Sequence, residues 1–263
     1  MPTLRDAIYG LAVGDALGVP YEFRPRGSFA CTGMVGHGTH DQPAGTWSDD
    51  TSMTLATCDS IRTCGRVDTA DMLERFRAWI DGGAYAIDGA VFDYGSTTAR
   101  ALAAGTGCAG ERDNGNGSLM RIAPLAFTDA TDDEVRAVSA ITHAHAVSTG
   151  ACVDMVHVMR ALAAGASPAE AVPDFDVLLA ASEKDLGSGG FVRDTYCAAL
   201  WCLAVSGSYE ECVLRAVNLG DDTDTTAAVA GALAGIVYGV DAIPPAWMEA
   251  LRGKDIIESC LFR

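Results

Sequence analysis

The chain has little positive charge. Only 18 of its 263 residues are lysine or arginine, against 35 aspartates and glutamates, and Lys184 and Lys254 are the only lysines. The formal net charge of -17 repels a nucleic-acid backbone and an anionic membrane surface, so we expect neither as a partner. The same charge suits bound cations, and it leaves open a local anion site made of backbone N–H groups.

Paired cysteine motifs and long apolar runs are also missing. The nine cysteines are scattered without a CxxC motif or a Cys/His cluster, so we expect small buried thiols rather than a zinc site or disulfides. The longest stretch made only of apolar residues and glycine, 227–240, is shorter than the roughly 20 residues that span a bilayer and predicts a buried helix. Arg5 and Asp6 stand where a secretory signal would be apolar. These absences predict a cytoplasmic protein, and we expect a monomer.

Strand patterns are weak, whereas helical patterns recur along the whole chain. Apolar residues repeat at helical spacing within 4–11, 72–80 and 152–162, and the ALAAG segments at 101–105 and 161–165 supply glycines suited to helix ends. No linker divides the chain by composition. We therefore predict an all-α fold, a compact single domain over residues 1–263, with function carried on its loops.

Local signals also predict helix starts and one close helix contact. Asp68 or Thr69 can cap one helix, and the Thr131–Glu134 pair has the pattern of an N-terminal capping box. Gly231, Gly235 and Gly239 recur every four residues and lie on one helix face. Without side chains there, a neighbouring helix can approach closely.

Two acidic clusters, far apart in sequence, carry the first chemical signal. They are Trp47–Thr51 and Asp221–Thr226, and each precedes a helical stretch. Capping explains a single aspartate in such a position. Three aspartates within six residues, with no lysine nearby, exceed what a cap needs. Carboxylates and hydroxyls are hard oxygen donors that suit Mg²⁺ or Mn²⁺, so solvated caps and a metal site are equally supported at this point.

An ordered set of motifs resembles the ADP-ribosylglycohydrolase family. Each motif is weak alone, but together they run in order from residue 8 to about 240. They are GLAVGDALGVPYE at 10–22, WSDDTSM at 47–53, FDYGSTT at 92–98, NGSLMR at 116–121, Thr142-His143, GDDTDT at 220–225 and AGALAG at 230–235. The resemblance is nearest to the arginine-directed branch, which includes the dinitrogenase reductase-activating glycohydrolases. It implies the compact all-α orthogonal bundle of the family and a pair of divalent cations, Mg²⁺ or Mn²⁺.

The resemblance implies the metal ligands residue by residue. They are Ser48, Asp49, Asp50, Asp222, Asp224 and Thr225. Asp224 is the expected bridge between the two ions. Ser48 replaces the threonine of many relatives and keeps the hydroxyl. Asp221 replaces a frequent glycine, and we expect it to be a solvated loop residue.

A second set of residues is expected to bind the substrate. The Asn114–Ser118 loop can expose successive N–H groups to the pyrophosphate of ADP-ribose, although Asn-Gly pairs equally mark a simple turn. The resemblance makes His143 a contact to the phosphates or ribose, and Arg121 suits either a phosphate or an aspartate. No role beyond structure or surface is expected for the other histidines. The expected substrate-binding residues are Asp93, Gly115, Asn116, Gly117, Ser118, Met120 and His143.

Asp93, Glu22 and Asp50 are the expected catalytic residues. In the arginine-directed branch the aspartate matching Asp93 sits at the scissile bond, and a carboxylate can take a guanidinium in a two-pronged pair. Partial burial of Glu22 would raise its pKa and suit it to acid/base work, though it could equally be a metal ligand. The implied reaction removes ADP-ribose from modified arginine on a target protein.

Alternatives remain at this point. The enzyme could act on serine-linked or free ADP-ribose derivatives. The chain could be a non-catalytic ADP-ribose-binding relative, although a degenerate binder should have lost at least one of the motifs. Another binuclear metallohydrolase, such as a phosphatase, would explain the acidic clusters but not the ordered set.

Overall fold

The computed structural model describes all residues from Met1 to Arg263, and its regular secondary structure is entirely helical. Six short 3-10 turns and three isolated β-bridges accompany the helices. The predicted all-α class is therefore confirmed. The helices are α1 (Leu4–Gly18), α2 (Asp49–Cys64), α3 (Thr69–Gly82), α4 (Ser96–Ala104), α5 (Asp132–Ser139), α6 (Ala146–Ala163), α7 (Pro168–Ala171), α8 (Phe175–Ala180), α9 (Val192–Ala204), α10 (Tyr209–Asn218), α11 (Thr223–Tyr238), α12 (Pro245–Ala250) and α13 (Lys254–Cys260).

Helices α1 and α11 pack antiparallel with their backbones in contact. A Cβ atom placed on Gly10, Gly14 or Gly18 of α1 would lie 2.2, 2.1 or 2.3 Å from backbone atoms of α11. Cβ atoms on Gly231 and Gly235 would each lie 2.2 Å from carbonyl oxygens of α1. The close approach predicted for these two glycines of α11 is confirmed. The partner surface on α1, where glycines recur every four residues at positions 10, 14 and 18, was not predicted.

This contact brings three helix ends together. The first turn of α11 meets the last turn of α1, where the Thr223 hydroxyl donates to the Gly18 carbonyl at 2.8 Å. One turn earlier on α1, the buried Asp15 carboxylate accepts the backbone N–H groups of Ser48 and Thr51 at 2.9 and 3.0 Å. The start of α2 is thereby held beside the start of α11.

Several helices begin and end as predicted. Asp68 caps α3 by accepting the N–H groups of its first turn, and Thr131 with Glu134 forms a complete capping box on α5. Gly105 ends α4 in the left-handed conformation, with φ of 71°. Gly239 ends α11 with φ of 82°, so it serves as a terminus rather than as a third contact in the glycine face.

The apolar core is a single cluster of 68 buried residues drawn from residue 4 to residue 260. All nine cysteines are free and six are buried, which confirms that most act as small apolar groups. The uncharged stretch 227–240 falls mainly within the buried α11, also as predicted. No helix combines the length and apolarity that crossing a bilayer requires.

The Gly14→Ala substitution tests the backbone contact. Its Cβ atom would meet the Ala227 carbonyl oxygen at 2.1 Å, so the two helices must separate. We expect the free energy of unfolding to fall by about 3 kcal/mol, as is typical of overpacking, in urea titrations followed by circular dichroism. The control is Gly150→Ala on α6, where the added atom has no neighbour within 4 Å. Helix propensity should leave that variant as stable as the wild type or up to about 1 kcal/mol more stable. Equal losses in both variants would contradict the interpretation.

Candidate functional site

A cleft of about 320 Å³ opens above the first turns of α2 and α11. Its walls come from Glu22 and Phe23, from the segments 93–98 and 115–117, and from His143. A larger cavity of about 860 Å³ lies between the end of α2 and the last residues of the chain. None of the predicted site residues lines that larger cavity, so the smaller cleft is the candidate site.

The first acidic cluster forms the start of α2. Ser48 is its N-cap, with Oγ accepting the N–H of Asp50 at 3.3 Å. Asp49 and Asp50 occupy the first turn, where the helix dipole favours negative charge, and both are buried. Ser48 thus provides the cap that the sequence allowed, and the two aspartates are not needed for it. Asp49 lines the cleft, and Asp50 lies beneath its floor.

The second acidic cluster meets the first at the cleft floor. The Thr225 hydroxyl donates to Asp50 Oδ2 at 3.2 Å, across 175 positions of sequence. Asp224 lies in the first turn of α11, is fully buried, and accepts the Thr225 N–H at 3.0 Å. Asp222 precedes that turn and lines the cleft. Asp221 is exposed with φ of 60°, as expected for a solvated loop residue.

The floor holds more negative charge than the protein neutralises. The buried oxygens Asp50 Oδ1, Asp222 Oδ1 and Asp224 Oδ2 have no hydrogen-bond donor. Burial, and then the charge of neighbouring carboxylates, raises the pKa of Asp49, Asp50 and Asp224 well above the ordinary range. Orphaned hard oxygens crowded in this way are the environment that a divalent cation satisfies. The donors therefore fit the predicted metal site.

Glu22 stands next to this floor and is shared with a second group of side chains. Its carboxylate lies within 4.8 Å of those of Asp222 and Asp224. On its other side it hydrogen-bonds His40 Nε2, which lies 3.7 Å from Asp93 Oδ1. Burial, followed by the charge of Asp93, raises the pKa of Glu22 to about 10. Glu22 and Asp93 thus share one wall of the cleft.

Asp93 is held in an unusual backbone conformation. Its φ of 56° lies in the left-handed region, which costs a non-glycine residue free energy of order 1 kcal/mol. The conformation places a carboxylate with 14% exposure beside the cleft. Tyr94 and Phe23, which also line the cleft, are 44% and 69% exposed. The mouth therefore combines one carboxylate with two accessible aromatic rings.

The Asn114–Ser118 segment, called the Asn-Gly loop below, forms another wall of the cleft and is hydrogen-bonded to its floor. Asn116 Nδ2 donates to Asp222 Oδ2 at 2.9 Å and to Thr195 Oγ1 at 2.8 Å. The backbone N–H groups of Gly117 and Ser118 have no acceptor within the protein. The Ser118 side chain points away from the cleft, because its Oγ is buried and accepts from the Ser139 hydroxyl at 2.9 Å. Ser118, predicted to bind substrate, is fully buried and does not line the cleft.

The structure brings nearly all of the predicted site residues to this one cleft. Three of the predicted metal ligands, Ser48, Asp50 and Asp224, lie beneath the floor. Their individual roles, and those of the lining residues, stay predictions. The predicted residues that line the cleft directly are Glu22, Asp49, Asp93, Gly115, Asn116, Gly117, Met120, His143, Asp222 and Thr225.

Two residues of the site were missed. Asp15 orders the start of α2 with three hydrogen bonds, the shortest from the Thr51 hydroxyl at 2.6 Å. A signal was available, since Asp15 is the one charge in the otherwise uncharged 7–21 stretch of a predicted helix. His40 was expected to be structural or on the surface, yet it contacts Glu22. It lies in the irregular 33–50 loop, where no periodicity relates it to Glu22.

Comparison with known proteins gives a consistent result. A model of the family described as ADP-ribosylglycohydrolase matches residues 3–262. The ADP-ribosylarginine hydrolase Tri1 of Pseudomonas putida (strain GB-1) is 34% identical over 279 residues, covering 97% of this chain and 75% of that protein. The ADP-ribosyl-[dinitrogen reductase] glycohydrolase of Rhodospirillum rubrum is 33% identical over 280 residues, covering 96% and 92%.

A solved structure supports the same relationship. A chain of an ADP-ribosylglycohydrolase-related protein complex superposes with a TM-score of 0.82 at 32% sequence identity, covering 97% of this chain and 93% of that one. The fold and the acidic cleft are thus those of an all-α hydrolase. The chain belongs to the ADP-ribosylglycohydrolase family, which confirms the resemblance drawn from its motifs.

The excess charge of the floor predicts how Asp224→Asn affects stability. In EDTA the variant should melt at a higher temperature than the wild type, because a neutral amide of the same shape replaces a buried, repelled carboxylate. With Mg²⁺ or Mn²⁺ at about 100 times its Kd, the wild type should gain about 2.7 kcal/mol and the variant clearly less. Thermal unfolding by calorimetry in both buffers measures the two effects.

The control for this experiment is Asp129→Asn. Asp129 is exposed and lies outside the cleft, so this variant should follow the wild type in both buffers. The metal interpretation is wrong if the cation stabilises Asp224→Asn as much as it stabilises the wild type.

Proposed function

We propose that the protein is a divalent-cation-dependent hydrolase that removes ADP-ribose from arginine side chains of modified proteins and restores the arginine. The observation that carries the proposal is the position of Asp93, a carboxylate at the cleft mouth beside Glu22 and above the acidic floor. Two relatives that share about a third of their residues with this chain, one named for ADP-ribosylarginine and one for ADP-ribosyl-dinitrogen reductase, support the same assignment.

The mouth suits a guanidinium. A carboxylate binds this planar cation through two parallel N–H···O bonds, and aromatic rings attract it through their faces. Asp93 can supply the first interaction, and Tyr94 or Phe23 the second. A serine-linked conjugate offers neither a positive charge nor a planar group, so it would use none of these contacts.

The Asn-Gly loop suits the pyrophosphate. An acidic protein with two lysines cannot surround two phosphates with ammonium groups. The unpaired N–H group of Gly117 offers a hydrogen bond to a phosphate oxygen without adding charge. The ribose would then lie between this loop and Asp93, above the carboxylates of the floor.

The residues of the floor divide the remaining work. Ser48, Asp49, Asp50, Asp222, Asp224 and Thr225 would hold two divalent cations, for which Mg²⁺ and Mn²⁺ fit equally. Such ions would acidify a water and bind ribose hydroxyls near the anomeric carbon. The carboxylates stabilise the positive charge that develops on the sugar ring as the N-glycosidic bond breaks. Glu22, whose pKa is raised, can give its proton to the departing guanidine nitrogen.

The direct test uses two peptides of equal length, one ADP-ribosylated on arginine and one on serine. We expect release of free ADP-ribose from the arginine-linked peptide with Mg²⁺ or Mn²⁺ and none in EDTA, measured by liquid chromatography. Preferential cleavage of the serine-linked peptide would contradict the arginine assignment. Phosphate release from simple esters without release of ADP-ribose would indicate a phosphatase instead.

The Asp93→Asn substitution tests the arginine contact. A charge-assisted hydrogen bond contributes about 1.5–3 kcal/mol, so kcat/KM for the arginine-linked peptide should fall about 10- to 100-fold. The affinity for free ADP-ribose should change little, because the product lacks the guanidine. The control is Asp88→Asn on the same loop, since Asp88 also has a left-handed φ but pairs with Arg252 outside the cleft. A loss of similar size in the control would make Asp93 a loop-structuring residue only.

A further inference from the structure

Arg121 is a buried cation beneath the Asn-Gly loop and has no carboxylate partner. Its side chain is fully buried, and its guanidinium carbon lies 4.6 Å from the centre of the Phe76 ring. Nη2 donates to the Val138 carbonyl at 3.2 Å and to Thr142 Oγ1 at 2.9 Å, whereas Nε and Nη1 have no acceptor. The sequence indicated a phosphate or an aspartate as its partner, and no aspartate pairs with Arg121 in the structure.

The hydrogen bond donated by Arg121 determines the orientation of the Thr142 hydroxyl proton. Thr142 is fully buried, and its Oγ1 has one other polar neighbour, His143 Nδ1 at 2.9 Å. If His143 carried its proton on Nδ1, the hydroxyl would accept twice and its own proton would have no acceptor. A buried donor left unsatisfied costs about 1–3 kcal/mol. The hydroxyl therefore donates to His143 Nδ1, and the ring proton sits on Nε2.

The Asn-Gly loop fits closely over the ring of His143. A Cβ atom on Gly117 would lie 2.8 Å from His143 Cε1, and one on Gly115 would lie 3.2 Å from Nε2. The ring lines the cleft, and Nε2 has no acceptor within the protein. Burial, and then the charge of Arg121, lowers the pKa of His143 to about 3, so the ring is neutral at physiological pH. Its single N–H thus joins that of Gly117 at one wall.

We propose that Arg121 and Thr142 are positioning residues that fix His143 as a neutral Nε2–H donor to a phosphate oxygen of the ligand. The choice of ADP-ribose as the ligand rests on the proposed function, whereas the expected tautomer of His143 does not. Arg121 assists at a distance, because its charge favours the orientation of the Thr142 hydroxyl and polarises the ring toward the cleft. In this arrangement His143 can donate a hydrogen bond to an anion without carrying a positive charge near the predicted metal ligands.

The tautomer is measured first, in the ligand-free wild type. Nitrogen-15 NMR of protein labelled at its five histidines distinguishes protonated from unprotonated ring nitrogens, and loss of one signal set in His143→Gln assigns His143. We expect a protonated Nε2 and an unprotonated Nδ1. A proton on Nδ1 would overturn the proposal without any variant having to fold.

The hydroxyl is then removed and restored. Thr142→Val keeps the shape but loses the donor, so the tautomer preference should weaken, and the affinity for ADP-ribose should fall about tenfold in calorimetric titrations with Mg²⁺. Thr142→Ser keeps the hydroxyl and should retain both the wild-type tautomer and an affinity within about twofold. Far-ultraviolet circular dichroism confirms that each variant is folded.

The outcomes separate this inference from the proposed function. If Thr142→Val shifts the tautomer but not the affinity, the Nε2–H is not a ligand donor and the inference fails, while cleavage of arginine-linked peptide by the wild type stands. If the wild type has the expected tautomer but does not bind ADP-ribose at all, the proposed function fails and the choice of phosphate fails with it.

Discussion

The direct contact between the backbones of α1 and α11 is the constraint on which the rest of the molecule depends. Helices that carried side chains at this crossing would lie several ångströms farther apart. Asp15, on α1, could then no longer hold the start of α2 beside Asp224, on α11. Glycine destabilises both helices relative to alanine, but it allows the close approach that holds together two acidic segments that repel one another. The packing of α1 against α11 therefore holds together the carboxylates of the site, which would otherwise repel one another and separate.

Much of the fold was predictable because helices depend on local patterns. Apolar spacing, the cap at Asp68 and the glycine at Gly105 each act within one or two turns, and each is found where the sequence indicates. The glycine face of α11 was recognised as a packing surface for the same reason. Its partner on α1 was not, because a periodic face predicts that some helix approaches but carries no information on which one. Nor could the order in which helices pack around this pair be derived from their individual patterns.

The site was predictable to the extent that it consists of short motifs. The family resemblance predicted that the two acidic segments form one site, whereas the residues alone supported capping and metal binding equally. The structure shows that Ser48 caps α2, and that the neighbouring Asp50 has a buried oxygen without a hydrogen-bond donor, which fits the predicted metal site. The contacts of His40 and Arg121 were not predicted because their partners are distant in sequence. Contacts of that kind follow from tertiary packing, and no spacing rule describes them.

The excess of acidic over basic residues in the chain has a consequence for how quickly an anionic ligand arrives. A doubly charged nucleotide approaching this surface meets a repulsive field until it is a few ångströms from the amide groups, because neutral donors act only at short range. Added salt shortens that repulsion, with a screening distance of about 10 Å at 0.1 M ionic strength. Association should then accelerate as ionic strength rises, the reverse of the behaviour of proteins that attract phosphates with lysine. The encounter would be fastest where the surrounding solution is most concentrated in ions.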